Sequence, residues 1–272
     1  MSIERITDPG DPRIAHYRHI ANPDLLNVEG LFVAEGRLVV RRAIEANAAA
    51  VRSVLVNDAA HRHLEPWLSA LGADVPVFIC DTGDFLDITG YDIHRGCLAL
   101  VERPPAREVR EVLVNADRVA GRRPATIVVL EGVANADNVG GVFRNAAAFA
   151  AGGVLLDPAT ADPWYRKTIR TSMAAVLRVP FARFSSWPGG LETVRETRFA
   201  IAALTPRQPA MSIDAFAATR PSRVALLVGA EGEGLTAAAE SAADHRVRIP
   251  IAADVDSLNL AVAVGIALHR LQ

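Results

Sequence analysis

The run Thr126-Ile-Val-Val-Leu130 constrains the fold of this chain more than any other segment. It shows no alternation of apolar and polar residues, so it reads as a strand covered on both faces, the environment of a parallel sheet. Parallel neighbours need long crossovers, and the following sequence supplies them. A helical pattern spans about Val139–Ala150, and a strand pattern follows at Val154–Leu156. Further strands fit Phe199–Ala203 and Val224–Val228, and an apolar helix runs from about Leu258 to Leu271. This alternation predicts an α/β domain.

The stretch before it has a break of its own. Glu102-Arg103-Pro104-Pro105 opens a polar segment that ends in Gly121-Arg122-Arg123-Pro124, with a short helix allowed at 107–118. The domain boundary is expected at residue 106, giving domains 1–105 and 106–272. In the first, strands are expected at Gly30–Ala34, Val51–Val56, Val75–Ile79 and Leu98–Val101. Helices are expected after Gly36 and near Ala60–Leu71, making a small α/β/α sandwich.

Charge separates the two halves. Residues 1–105 carry 10 arginines and no lysine against 15 acidic residues, whereas the remainder carries 19 basic against 16 acidic. A polyanion is therefore expected at the second domain or the junction rather than across the first domain. Cys80 and Cys97 are too few for a disulfide framework and lack metal-ligand spacing, so no metal is expected. No apolar run is long enough to span a bilayer, and MSIERITDPGDPR does not resemble a signal peptide, so a cytoplasmic location is expected.

Three segments carry polar groups where a site could form. In Glu131-Gly-Val-Ala-Asn135-Ala-Asp137-Asn138-Val-Gly140-Gly141-Val-Phe-Arg144-Asn145, the chain leaves a buried strand, turns and enters a helix. Asn138 is the expected N-cap, and Arg144 lies almost two turns further on. The glycine spacing is not that of a dinucleotide-binding loop. Gly229-Ala-Glu231-Gly232-Glu233-Gly234 follows the Val224–Val228 strand, leaving Glu231 little steric cover. The third segment is Ile249-Pro250-Ile251 with Asp254-Val-Asp256-Ser257-Leu258-Asn259-Leu260. Asp256 or Ser257 can cap the last helix, and Asn259 is expected as a buried amide in need of partners, because a helix apolar all round is a buried helix.

Together these segments resemble, in order and at fitting distances, the three motifs of the SpoU (TrmH-like) family of RNA 2′-O-ribose methyltransferases, within the SPOUT superfamily. The first corresponds to Asn-Pro-x-Asn-x-Gly…Arg, the second to Gly-Asn-Glu-x-x-Gly, the third to Ile-Pro…Ser-Leu-Asn. Arg170-Thr-Ser172-Met-Ala174-Ala175 is similar to the family's Arg-x-Ser-x-Gly-Ala segment. Phe32-Val-Ala-Glu35-Gly36 and His94-Arg-Gly96 resemble its accessory RNA-binding domain, a ribosomal-protein-like sandwich. Ala136, Ala230 and Ala174 depart from the pattern, standing where the family usually has Pro, Asn or Ser, and Gly.

The resemblance implies a C-terminal trefoil-knot domain with a mainly parallel sheet, active as a homodimer. It implies S-adenosylmethionine as methyl donor, facing Leu204, Thr205, Gly229, Ile249, Pro250 and Leu258. By the same resemblance Arg144, Asn138, Glu231, Ser257 and Asn259 are the catalytic set, with Arg144 contributed by the partner subunit. RNA phosphates are expected at Arg122, Arg123, Arg166, Lys167 and Arg170, with Arg118 a further candidate. Ribosomal RNA is the expected substrate. The alternatives are transfer RNA and a non-catalytic RNA-binding protein that kept the fold.

Overall fold

The computed structural model describes the whole chain except residues 19, 21–23, 91, 92, 94, 95, 122 and 253, together with the side chain of residue 24. His94 and Arg122, both singled out from the sequence, lie outside the described residues. The chain divides into two compact units, Met1–Pro105 with Trp164–Leu177, and Ala106–Pro163 with Arg178–Gln272.

The first unit is built on a five-stranded sheet of β1 (Ser2–Arg5), β2 (Leu31–Glu35), β3 (Val51–Val56), β4 (Pro76–Ile79) and β5 (Cys97–Glu102), in the order β1-β4-β3-β5-β2. The β1-β4-β3 part is parallel, while β5 runs antiparallel to both β3 and β2. Helix Arg37–Asn47 buries Val39, Val40, Ala43 and Ile44, a spacing of three and four residues that places them on one face. Helix Asp58–Leu68 is capped by Asn57, whose side chain accepts from the Ala60 amide.

Residues Trp164–Leu177 belong to this unit although they come from the middle of the expected second domain. Trp164 stacks on Phe32, with ring centroids 4.9 Å apart. In the short helix Arg166–Thr171, Arg166 pairs with Glu35 at 2.7 Å and Arg170 with the same carboxylate at 3.3 Å. Arg42 donates to the carbonyl of Met173. Met173 and Ala174 sit at φ 53° and 61°, a left-handed conformation that favours glycine, the residue that Ala174 replaces in the family pattern.

The second unit holds a seven-stranded, wholly parallel sheet. Its strands are β6 (Ala125–Glu131), β7 (Val154–Leu156), β8 (Phe181–Arg183), β9 (Ala200–Leu204), β10 (Met211–Ser212), β11 (Arg223–Gly229) and β12 (His245–Arg248), ordered β10-β12-β9-β11-β6-β7-β8. The central β6 and β11 pair residue for residue from Arg223↔Ala125 to Gly229↔Glu131. Ile127, Val128, Val129 and Leu130 are fully buried, as expected for a strand covered on both faces. Among the described residues no helix is long and apolar enough to cross a membrane.

Helix Ala136–Ala148 follows β6, and the final helix Leu260–Arg270 packs against it. Two small residues permit the close approach: a Cβ on Gly141 would lie 2.6 Å from the Ala261 Cβ, and one on Gly265 would lie 3.1 Å from the Asn145 amide nitrogen. Asn145 then donates to the Ala261 carbonyl at 2.6 Å. The final helix is not buried all round, contrary to the expectation from its composition. Leu260, Val264, Ala267 and Leu268 are buried, while Val262 is 51 % exposed. Apolar composition alone does not say how many faces have a neighbour.

Candidate active site

Parallel strands deliver their C-terminal ends to one edge, where the following loops meet. Here the loops after β6, β9, β11 and β12 meet at that edge. The loops after β9, β11 and β12, with the start of the final helix, enclose a cavity of about 340 Å³. Leu204, Val228, Ile249 and Leu258 give it apolar walls, and the Thr205 and Ser257 side chains and the Gly229–Gly234 backbone give it polar edges. Of the six residues expected to face a cofactor, Leu204, Thr205, Gly229, Ile249 and Leu258 line this cavity. Pro250 is exposed and is not among the lining residues.

Two close approaches shape the glycine-rich loop. A Cβ on Gly229 would come within 3.0 Å of three backbone atoms of Gly234 and Leu235, so the loop folds directly over the end of β11. Gly232 and Gly234 adopt φ 86° and 72°, which a side-chain-bearing residue disfavours. The loop closes with the Gly234 amide donating to the Ala230 carbonyl at 3.0 Å.

At the mouth of the cavity, residues from all three motifs meet. Asn259 Nδ2 donates to Glu231 Oε1 at 2.8 Å and to Asn138 Oδ1 at 3.0 Å. The Leu260 amide donates to the same Glu231 oxygen at 3.2 Å. Hydrogen bonding from Asn138, then from the Leu260 amide, holds the Glu231 carboxyl below its ordinary value against the opposing effect of desolvation. Glu231 is therefore a fixed anion at neutral pH.

The caps differ from those expected. Asn135, not Asn138, caps helix Ala136–Ala148, its side chain accepting from the Asp137 amide at 2.9 Å. That frees the buried Asn138, one turn in, to face Asn259. The final helix is capped by Asn259, whose Oδ1 accepts from the Val262 amide at 3.2 Å, and not by Asp256 or Ser257. Asn259 is exposed rather than buried, and one side chain serves as cap and as bridge to Glu231. Asp256 and Ser257 instead line the cavity.

Sequence reasoning assigned no role to two residues that hold these loops. Glu131, at the end of β6, is 4 % exposed and accepts from Trp187 Nε1 at 2.6 Å, the Thr236 amide at 2.9 Å and the Thr236 hydroxyl at 2.7 Å. It pins the far end of the glycine-rich loop. Arg207 reaches that loop from the β9 side. An acidic residue ending an otherwise apolar strand was the one available signal for Glu131.

Arg144 is exposed on helix Ala136–Ala148 and makes no hydrogen bond or ion pair to another described residue. It lines a shallow groove with Gly141, Asn145, Ala261, Val262 and Ile266. Arg123, an expected RNA contact, precedes β6. A seven-residue strand at about 3.3 Å per residue puts it roughly 20 Å from the Glu131 end where the cavity opens. Arg118 precedes β6 as well and donates to Asn115. Arg166, Lys167 and Arg170 belong to the first unit, with Lys167 exposed and both arginines engaged by Glu35. Among the described residues no group of His, Cys, Asp and Glu is arranged to hold a metal ion.

The wholly parallel sheet, with a loop-built cavity at its C-terminal edge closed by the segment that follows the last strand, is the α/β fold of solved RNA methyltransferases. Residues 125–269 match the model of the SpoU rRNA Methylase family. A Mycobacterium bovis protein described as an uncharacterized tRNA/rRNA methyltransferase is 38% identical over 275 residues, covering 99% of this chain and 92% of its own length. The crystal structure of an AdoMet-bound rRNA methyltransferase from Sinorhizobium meliloti shares the fold, with a TM-score of 0.80, 24% identity, and coverage of 99% of this chain and 97% of that one. A solved RNA 2′-O ribose methyltransferase has a TM-score of 0.79 at 25% identity, covering 98% of this chain and 97% of the other. The chain belongs to the SpoU rRNA methylase family.

Proposed function

We propose that this chain is an S-adenosylmethionine-dependent RNA methyltransferase that modifies a ribose 2′-hydroxyl, with ribosomal RNA as its substrate and the cytoplasm as its location. The observation that carries this reading is the Glu231–Asn259–Asn138 network at the mouth of the cavity. Three motifs from separate parts of the sequence converge there on one small polar cluster. A relative described as a tRNA/rRNA methyltransferase and a solved RNA 2′-O ribose methyltransferase support the same reaction.

The cavity suits the cofactor. Its volume lies at the lower end of the range typical of small-ligand sites, and its apolar walls match a flat purine, leaving backbone amides and carbonyls for the polar edges. When bound, S-adenosylmethionine supplies an activated methyl group. The protein's share is placement: Leu204, Ile249 and Leu258 would hold the base by apolar contact, and Thr205 and Ser257 would offer hydroxyls. Glu231 accepts from Asn259 and the Leu260 amide, fixing the loop against the last helix, and Asn138 and Asn259 orient the ribose. The motifs contain no histidine to act as base. Arg144 engages the neighbouring phosphate and assists loss of the 2′-hydroxyl proton to solvent water by stabilising the developing alkoxide.

Arg144 performs that role for the site of a second copy. Val262, half exposed on an otherwise apolar helix face, lines the same groove as Arg144, which supports a homodimer built on this face. The first unit is the RNA-binding accessory domain.

Two measurements on one variant test the assignment. Arg144→Ala should lower methyl transfer to RNA by at least about 10²-fold while S-adenosylmethionine binding, read by calorimetry, stays within about twofold. Unchanged turnover would remove Arg144 from the mechanism. A wild-type protein that binds no S-adenosylmethionine, with or without RNA, would favour the non-catalytic reading. Mapping 2′-O-methyl positions in total RNA from a deletion strain separates ribosomal from transfer RNA.

A further inference from the structure

The cavity has two walls that are distant in sequence, Leu204–Pro206 after β9 and the Gly229–Gly234 loop after β11. Arg207, the residue after the first wall, holds the second. Its Nη2 donates to the Glu233 carbonyl at 3.1 Å and its Nη1 to the Leu235 carbonyl at 3.3 Å. The same Nη1 pairs with Glu240 Oε2 at 3.2 Å. Glu240 is 4 % exposed, and Arg246 meets the same oxygen at 2.9 Å.

This geometry has a direction. A buried carboxylate is costly unless cations face it, so Glu240 fixes where the Arg207 guanidinium sits. A planar guanidinium presents several donors at set angles, so it can pair with one carboxylate oxygen and still reach two carbonyls. The loop it grips contains two glycines at positive φ and is entropically expensive to hold in one shape.

We propose that Arg207, anchored by the buried Glu240, is a positioning residue that holds the glycine-rich loop in its binding-ready shape against the opposite wall of the pocket. Resting on the reading that the pocket takes S-adenosylmethionine, this assigns part of the cofactor affinity to a residue outside the three family motifs. Arg207 acts through the loop backbone and contacts no reacting atom.

The test combines hydrogen exchange on the free protein with calorimetric titration of S-adenosylmethionine. In Arg207→Ala, amides of residues 231–236 should exchange at least about tenfold faster while β11 amides keep their protection. The Kd for S-adenosylmethionine should rise about tenfold, because binding must then order the loop. Arg207→Lys keeps a charge beside Glu240 but cannot span both carbonyls, so it should recover thermal stability and only part of the affinity. If the alanine variant does not fold, the lysine variant decides by the same two readouts. Glu240→Gln should loosen the loop in the same direction. Arg246 shares Glu240 but makes no hydrogen bond to the loop among the described residues. Arg246→Ala should therefore lower thermal stability while the loop amides keep their protection relative to β11 and the affinity stays as in wild type.

Wild-type loop protection and affinity in Arg207→Ala would overturn the proposal. So would an Arg246→Ala variant that loosens the loop as much as Arg207→Ala, since the effect would then be general destabilisation. If wild type binds no S-adenosylmethionine, the proposed function fails, while the exchange pattern still decides whether Arg207 holds the loop.

Discussion

Gly229→Ala is the smallest substitution that strikes the centre of the pocket. Its own φ is not in the left-handed region, so alanine is conformationally allowed there. The obstacle is space: the new methyl would lie within 3.0 Å of three backbone atoms, whereas carbon atoms normally rest about 3.5–4.0 Å apart. Neither side can give way easily. Gly229 is fixed by its register with Glu131, and the Gly234 turn by its bond to Ala230 and the Thr236–Glu131 anchor. Overpacking of this kind costs about 1–3 kcal/mol, and rigid backbone on both sides points to the upper end. Removing a glycine from the unfolded chain returns about 0.4–1 kcal/mol, leaving a net loss of about 2 kcal/mol. For a unit of this size that lowers the melting temperature by about 4–8 °C.

The loop can relieve the clash only by lifting off the pocket, so the Kd for S-adenosylmethionine should also rise at least about tenfold, or 1.4 kcal/mol. Differential scanning calorimetry and titration read the two effects. Gly232→Ala is the control: it meets no atom within 4 Å and pays only for its φ of 86°, about 1 kcal/mol. A Gly229→Ala protein with wild-type melting and affinity would refute the argument that close backbone approach forms this pocket.

Three further outcomes are expected. Ala174→Gly should stabilise the first unit by about 0.5–1 kcal/mol, because relief of a left-handed alanine exceeds the added freedom of the unfolded chain; equal or lower stability in urea titration would count against strain at the 173–174 turn. Glu131→Ala leaves the Trp187 indole and the Thr236 amide and hydroxyl without an acceptor, so it should cost about 2–4 kcal/mol and free the loop, read as lower melting and faster exchange at 230–236. The depressed folded-state value of Glu231 contributes stability that is fully present above the ordinary glutamate range and lost as pH falls through the lowered value. Cofactor affinity should therefore hold from pH 8 down through the ordinary glutamate range and weaken only below it, and Glu231→Gln should flatten that decline. A decline that persists unchanged in Glu231→Gln would assign it to another group.

Much of this molecule is written locally. The Val51–Val56 and Val154–Leu156 strands have the bounds their sequence suggests, and β6 is buried as its unbroken apolar run requires. The residues proposed for the site stand out because their types are out of place locally: a carboxylate among glycines at Glu231, an amide heading an apolar helix at Asn259, an arginine in an alanine-rich helix at Arg144.

What the sequence alone could not decide depends on neighbours distant in the chain. Strands β1, β8, β10 and β12 run two to four residues, and β12 carries His245, Arg246 and Arg248. Three of the four lie at sheet edges, where pairing to one partner and not an apolar pattern makes the strand. Trp164–Leu177 joins the first unit because Phe32 and Glu35 are there to receive it. Either Asn135 or Asn138 could cap its helix by type, and the presence of Asn259 across the site settles Asn138's role. Arg207 and Glu240 look like ordinary surface charges until folding buries one carboxylate and brings the guanidinium to it. Periodicity and residue type determined the central strands and the longer helices, and marked the motif residues proposed for the site. Burial and long-range hydrogen bonding, which no local pattern encodes, decided which groups hold them in place.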